Sequence, residues 1–256
     1  MAELGLKFGR ADSTHQKTLI TYALSHATRP TNFPLLAKLY SQLRLEILLN
    51  SPGAFASNYA IESKFTPEQW EERLWRDGVT VFVCVARSDA EEAVERSDLG
   101  DLNGEWVGAA TVFGPIPKKD YSLAPESGSP EVGGDAEETK WQMTALFTSP
   151  SHRGQGLAKS LIKAGKAYAR VQTLAQDPEA KRLRVRIMAH PKNLTVAGLY
   201  ANHGFHDVAR ATGREAFIAN GDESLIAAKI AESEEGSALL ASRSALVMEY
   251  VELLRD

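Results

Sequence analysis

The chain has 256 residues, 43% of them hydrophobic, with 33 acidic against 29 basic side chains and a formal net charge of −4. That length suits one large domain or two small ones, and the mildly acidic balance argues against nonspecific nucleic-acid binding, which draws on clustered Lys and Arg. No apolar run reaches the ~20 residues of a membrane span, and Met1-Ala2-Glu3-Leu4-Gly5 lacks the basic-then-apolar order of a secretory signal, so a cytoplasmic, reducing setting is expected.

Residues 1–20 read as a strand followed by a turn. After Asn32-Phe33-Pro34, the spacing of Leu35, Leu36, Leu39, Leu43, Ile47 and Leu48 predicts a helix, and Ser51-Pro52-Gly53 predicts its end. Thr66-Pro67 marks a second helix start, with Thr66 as N-cap and Trp70, Leu74 and Trp75 on the apolar face. Val79–Ala86 is nearly all apolar and β-branched, which suits a strand buried on both faces. Its Cys84, the single cysteine, has no internal disulfide partner and reads as a small buried hydrophobe.

Trp106–Phe113 and Trp141–Thr148 are the next strands. The intervening stretches, the acidic 87–104 and the Pro/Gly/Ser-rich 115–140, exceed ordinary hairpin loops and read either as solvated insertions or as covers for an acceptor site. A helix to about Ala175 follows, with Leu157, Leu161, Ala164, Tyr168 and Val171 as its core stripe. Lys159, Lys163, Lys166 and Arg170 line another face, as plain solvated surface or as an attractant for a phosphate. Leu183–Ala189 is a strand, a short helix runs from Asn193, Gly204 ends it, and Phe205 opens another strand. Ala245–Leu253 reads as the last strand, beside the one from Phe205; within the long 210–244 stretch Ala227–Leu240 reads as a helix.

Two blocks carry chemistry. Arg153-Gly154-Gln155-Gly156-Leu157-Ala158 lies between a strand and a helix. The first N–H groups of a helix lack intrahelical partners, the helix dipole favours anions there, and glycines let a phosphate approach without meeting a Cβ. Downstream, Asn193 and Tyr200 are two helical turns apart, with the small Ala197 between them. Together the blocks resemble the GNAT superfamily of acyl-CoA-dependent N-acetyltransferases: the first is similar to its R/Q-x-x-G-x-G/A pyrophosphate loop and the second to its N-x-x-A-x-x-L-Y-x-x-x-G-F helix. The likeness covers roughly 79–205 and extends more loosely to 43–74.

The resemblance implies an α/β (α+β) fold: a central mixed, mostly antiparallel sheet splayed at its middle and flanked by helices, in a single domain over 1–256 with insertions near 87–104, 115–140 and 210–244. It implies acetyl-CoA as cosubstrate. Its pantetheine arm would pair with the backbone of Leu146, Phe147 and Thr148, and its pyrophosphate would rest on Arg153, Gly154, Gln155, Gly156, Leu157 and Ala158, with Lys159 beside it. Asn193 either bonds the pantetheine or the strand edge, or caps its helix. Tyr200 either protonates the departing thiolate or only packs and positions. The base that deprotonates the amine stays open among Glu62, Glu46, His190 and a water chain; histidine titrates near neutrality. His15, His26, His152, His203 and His206 show no metal-ligand spacing, so no metal is expected. The acceptor is a small primary amine, with a peptide or protein amine as the alternative and a non-catalytic acyl-CoA sensor as a third reading. Neither a nucleic-acid nor a membrane partner is expected, and the chain is read as a monomer or homodimer.

Overall fold

The computed structural model describes residues 17–24, 29–51, 55, 57–88 and 102–255. His15, His26, the acidic run of 89–101 and the Pro52-Gly53 helix stop lie outside the described residues. Seven strands form one sheet in the order β1-β2-β3-β4-β5-β7-β6. They are β1 (Lys17–Leu24), β2 (Val79–Ser88), β3 (Glu105–Phe113), β4 (Glu138–Thr148), β5 (Arg182–Ala189), β6 (His206–Thr212) and β7 (Arg243–Leu253). Only β4 and β5 pair in parallel; every other neighbour is antiparallel.

Burial on both faces explains the continuous apolar run of β2. Phe82, Cys84 and Ala86 pack with Leu157, Leu161 and Ile162 of helix α5 (Leu157–Gln176). Val81, Val83 and Val85 pack on the opposite face with α1 (Phe33–Asn50) and α3 (Pro67–Leu74). The Cys84 thiol lies 3.2 Å from Thr21 Oγ1, and burial pushes its pKa up to about 11, so it behaves as packing. Thr66 caps α3 with a full capping box, its partner being Gln69. Before α3 stands the single turn α2 (Tyr59–Glu62).

The inner face of α1 is Phe33, Leu36, Ala37, Tyr40, Leu43, Arg44, Ile47 and Leu48. This corrects the expected stripe: Leu35 is 38% exposed, while the polar Tyr40 and Arg44 point inward. On α5, Val171 is likewise exposed at 37%, and Ala169 and Thr173 are buried instead.

The sheet opens at one place. Parallel pairing of β4 with β5 runs from Glu138↔Arg182 to Gln142↔Arg186 and stops there, leaving Met143–Thr148 with an unpaired edge. On the other side of β4, Ala145 and Leu146 face Ala110 alone, a bulge in which Ala145 takes φ 51°. The fork is held by buried polar groups. Arg184 pairs with Glu138 and, at 2.5 Å, with Glu249; the Tyr121 hydroxyl donates to Glu249 at 3.0 Å. Arg186 donates to the Tyr121 carbonyl at 2.5 Å and to Gln142 Oε1 at 2.7 Å, with its guanidinium 3.9 Å from the Tyr121 ring centre. Tyr121 ends the short helix α4 (Lys118–Tyr121). Much of the 115–140 stretch is solvated, but Tyr121, Ser127 and Val132 are buried and Tyr121 braces the fork; β4 starts at Glu138 rather than at Trp141.

The chain between β6 and β7 folds into α7 (Gly213–Ala219), α8 (Ile226–Glu232) and α9 (Glu234–Ala241). The single helix expected over Ala227–Leu240 is broken at Ser233, whose extended backbone and side-chain bond to the Gly236 N–H make it the N-cap of α9. Phe217, Leu225, Ile226 and Leu240 of this segment form a core with Ile61 of α2, which bridges the two sides of the fork.

Candidate active site

A cavity of about 600 Å³ lies in the fork, lined along one wall by Met143–Thr148 of β4 and along the other by Ile187, Met188 and Ala189 of β5. One end reaches Arg153 and Ala158, at the head of α5. There Gly154 and Gly156 take φ 79° and 81°, and a Cβ on either would meet no atom within 4 Å, so the space in front of the loop is open. Gly156 is the N-cap of α5 and supplies no side-chain cap, so the first N–H groups, at Leu157, Ala158 and Lys159, are left for a ligand. Both the left-handed backbone and the bare loop fit a pyrophosphate. Arg153, exposed, donates to Ser51 Oγ at 3.0 Å and ties the loop to the end of α1.

The row of cations along α5 divides. Lys166 donates to the His203 carbonyl at 2.9 Å and stands 3.4 Å over the Tyr250 ring, and Arg170 pairs with Glu252 at 2.9 Å. Lys159 and Lys163 are exposed.

Helix α6 (Leu194–Ala201) flanks the middle of the cavity. Asn193 is its N-cap and accepts from the Val196 N–H at 3.2 Å, so the capping alternative describes its Oδ1. Tyr200 lines the cavity, is 4% exposed and meets Phe205 edge-on at 5.1 Å. Burial alone pushes its phenol well above the ordinary value, so the hydroxyl keeps its proton at any working pH. Gly204, at φ 84°, turns the chain after α6, and β6 begins at His206.

The candidate bases separate. Glu46 is exposed on α1 and does not line the cavity. Glu62 is fully buried behind the cavity wall, and both of its oxygens accept from Arg44, at 3.0 and 2.7 Å. Burial alone would raise its pKa, but the Arg44 hydrogen bonds and the charges of Arg44 and Arg73 hold it below the ordinary carboxylate range. A carboxylate so placed neither reaches an amine nor wants a proton. His190 follows β5, lines the cavity and accepts the Lys192 N–H on Nδ1 at 3.2 Å.

The far end of the cavity was not legible beforehand. Tyr40 and Arg44 come from α1, Arg73 from α3 and Arg76 from the chain just after it, and Phe217, Asn220 and Asp222 from the segment after β6. Arg73 donates to Asp222 at 2.9 Å, Arg76 to the Gly221 carbonyl at 2.9 Å, and Gln142 to Asn220 at 2.9 Å. Phe55 lies 4.4 Å from the Arg44 guanidinium. Among the described residues no three His, Cys, Asp or Glu side chains gather as metal ligands, and no helix is long and apolar enough to cross a membrane.

Residues 124–207 match the model of the acetyltransferase (GNAT) domain, and no curated protein matches the chain. Among solved structures, a GNAT-family acetyltransferase from Streptococcus pneumoniae aligns over 91% of this chain and 99% of its own, at 13% identity and a TM-score of 0.51. Arabidopsis thaliana NAA60 in complex with acetyl-CoA aligns over 93% and 99%, at 13% identity and a TM-score of 0.47. Spermidine N-acetyltransferase from Vibrio cholerae, in complex with CoA and spermine, aligns over 92% and 95%, at 12% identity and a TM-score of 0.43. Loop, forked sheet and matched segment agree: residues 124–207 match a GNAT acetyltransferase domain, and the fold around them is that of the GNAT-family acetyltransferase from Streptococcus pneumoniae.

Proposed function

We propose that the protein, working as one domain, moves an acetyl group from acetyl-CoA to a primary amine of a small molecule by direct attack within a ternary complex. The observation that carries this reading is the continuous cavity, which runs from Arg153 and Ala158 at the bare head of α5, along the open edge of β4, to a chamber lined by Tyr40, Arg73 and Phe217. Acetyl-CoA supplies an activated acyl group, its thioester. Leu157, Ala158 and Lys159 hold its pyrophosphate, Arg153 keeps the loop in place, and the free edge of Leu146, Phe147 and Thr148 pairs with the extended arm. Tyr200 donates a proton to the departing sulfur, since its phenol is neutral and faces the cavity. Among the described residues His190 is the one lining histidine and Asp222 the one lining carboxylate; Asp222 is committed to Arg73, which leaves His190 as the base.

The core that joins Ile61 to Phe217, Leu225, Ile226 and Leu240 closes the chamber on one side. That closure favours a small acceptor over a peptide, which needs an open groove. The single buried thiol suits a cytoplasmic setting. Thiol release from acetyl-CoA against amino acids, amino sugars, polyamines and short peptides tests the reading. Turnover with one small class is expected. Turnover with peptides alone would replace the small-molecule acceptor, and acetyl-CoA binding without release by any amine would leave a sensor.

A further inference from the structure

Resting on that acetyl-transfer reading, we infer that the amine acceptor carries a carboxylate, bound at the far end of the cavity by Arg44 and Arg76: the substrate is an amino acid or a close relative, not a polyamine. Arg44 is 3% exposed. Two of its nitrogens serve Glu62, but Nη1 is buried without a partner among the described residues, on a side chain that lines the cavity. Arg76 spends Nη1 on the Gly221 carbonyl, and its Nε is also buried without a partner. Leaving a charged donor buried and unmade is costly, and buried guanidinium groups are normally satisfied. Two such donors on residues that line one chamber point to a ligand that draws them in and completes them.

The charge balance says what kind. Three guanidiniums, of Arg44, Arg73 and Arg76, meet two carboxylates, Glu62 and Asp222, among the described residues. Glu62 is consumed by Arg44 and Asp222 by Arg73. A polyamine would bring more positive charge to a chamber that already holds an excess of it, whereas a monoanion fills the vacancy. Arg presents a planar fork suited to carboxylate. The fork also orients: a carboxylate held at this end directs the amine of the same molecule back toward Tyr200 and the thioester.

Matched acceptors test this. Each of a set of L-amino acids is assayed for thiol release beside its α-amide and its decarboxylated amine, and its effect on the melting temperature is measured in the presence of CoA. Charge-assisted hydrogen bonds predict kcat/KM for the acid at least about tenfold above both analogues. Arg76→Gln narrows that gap several-fold and leaves the KM for acetyl-CoA unchanged. Arg44→Gln also strips Glu62 of its partner and puts folding at risk, so Arg76→Gln carries the test. Amides or decarboxylated amines used as well as the acids, or polyamines used best, would overturn the inference. If no amine is turned over but amino acids stabilise the wild type and not Arg76→Gln, the carboxylate site stands and the transfer reading falls. With neither turnover nor stabilisation, both fall.

Discussion

Glu62 offers the sharpest separation of structure from catalysis, because a buried glutamate beside an active-site cavity invites both readings. The change Glu62→Gln keeps the shape and deletes the charge. In the folded protein Glu62 is 0% exposed, Arg44 is 3% exposed, and the two are joined by bonds of 3.0 and 2.7 Å. Removing one partner of such a pair leaves the other charge uncompensated in the interior, at a cost of about 3–5 kcal/mol. For a chain of this size each kcal/mol moves the melting temperature by ~2–4 °C, so a drop of roughly 6–20 °C is expected in a thermal melt. Assayed below that midpoint, the folded variant loses less than about tenfold in kcat, short of the ~10²–10⁴ that a lost general base costs. Acid gives an independent check. The folded pKa of Glu62 is depressed, so its contribution is fully present above the unfolded value of about 4.3. It is lost as pH falls through the lower folded value, and Glu62→Gln removes that part of the acid dependence. An unchanged melting temperature together with a kcat reduced a hundredfold would refute the structural assignment and return Glu62 to the role of base.

Two further substitutions probe the head of α5 and the middle of the cavity. Gly156→Val places a branched Cβ at φ 81°, where a left-handed backbone costs an L-residue about 1–2 kcal/mol, and in the open space in front of the α5 N–H groups; acetyl-CoA affinity by calorimetry is expected to fall by more than tenfold, and an unchanged affinity would remove the pyrophosphate from this loop. Tyr200→Phe keeps the edge-on contact with Phe205 and deletes only the hydroxyl; kcat is expected to fall by about 10²-fold, the lower end for a general acid, with KM for acetyl-CoA little changed. Because burial holds the Tyr200 phenol protonated, the wild-type rate shows no alkaline limb from it below pH 10; such a limb that vanishes in Tyr200→Phe would contradict the burial argument.

What could be read from the sequence is what local physics dictates. A glycine before a helix, with no side chain to cap it, is visible as Gly156-Leu157, and the strand before it as an apolar run; both need only neighbours in sequence. Helical spacing located α1 but misjudged its inner face. Apolar count put Leu35 in the stripe, whereas the buried positions include Tyr40 and Arg44, because their polar ends serve a cavity that no local pattern announces. The chain around β4 was misread for a related reason. Its Pro, Gly and acidic residues look like a solvated loop, yet Glu138 and Tyr121 are buried because Arg184, Arg186 and Glu249 from distant strands receive them.

The acceptor end shows the same physics at its limit. Arg73 and Asp222 are 149 residues apart in the chain and 2.9 Å apart in space. Neither side chain signals the other: an arginine late in an exposed-looking helix and an aspartate in a turn both read as surface. They meet because α7–α9 dock through Phe217, Leu225, Ile226 and Leu240 onto Ile61, an apolar contact that carries no chemistry itself. That docking makes a chamber of what would otherwise be an open fork. Under the proposed function the segment between β6 and β7 sets specificity, while the Gly156 loop and Tyr200 supply what any acceptor would require. Exchanging that segment should change which amine is used before it changes whether acetyl-CoA binds, since the Gly156 loop opens α5 and is tied through Arg153 to Ser51 at the end of α1.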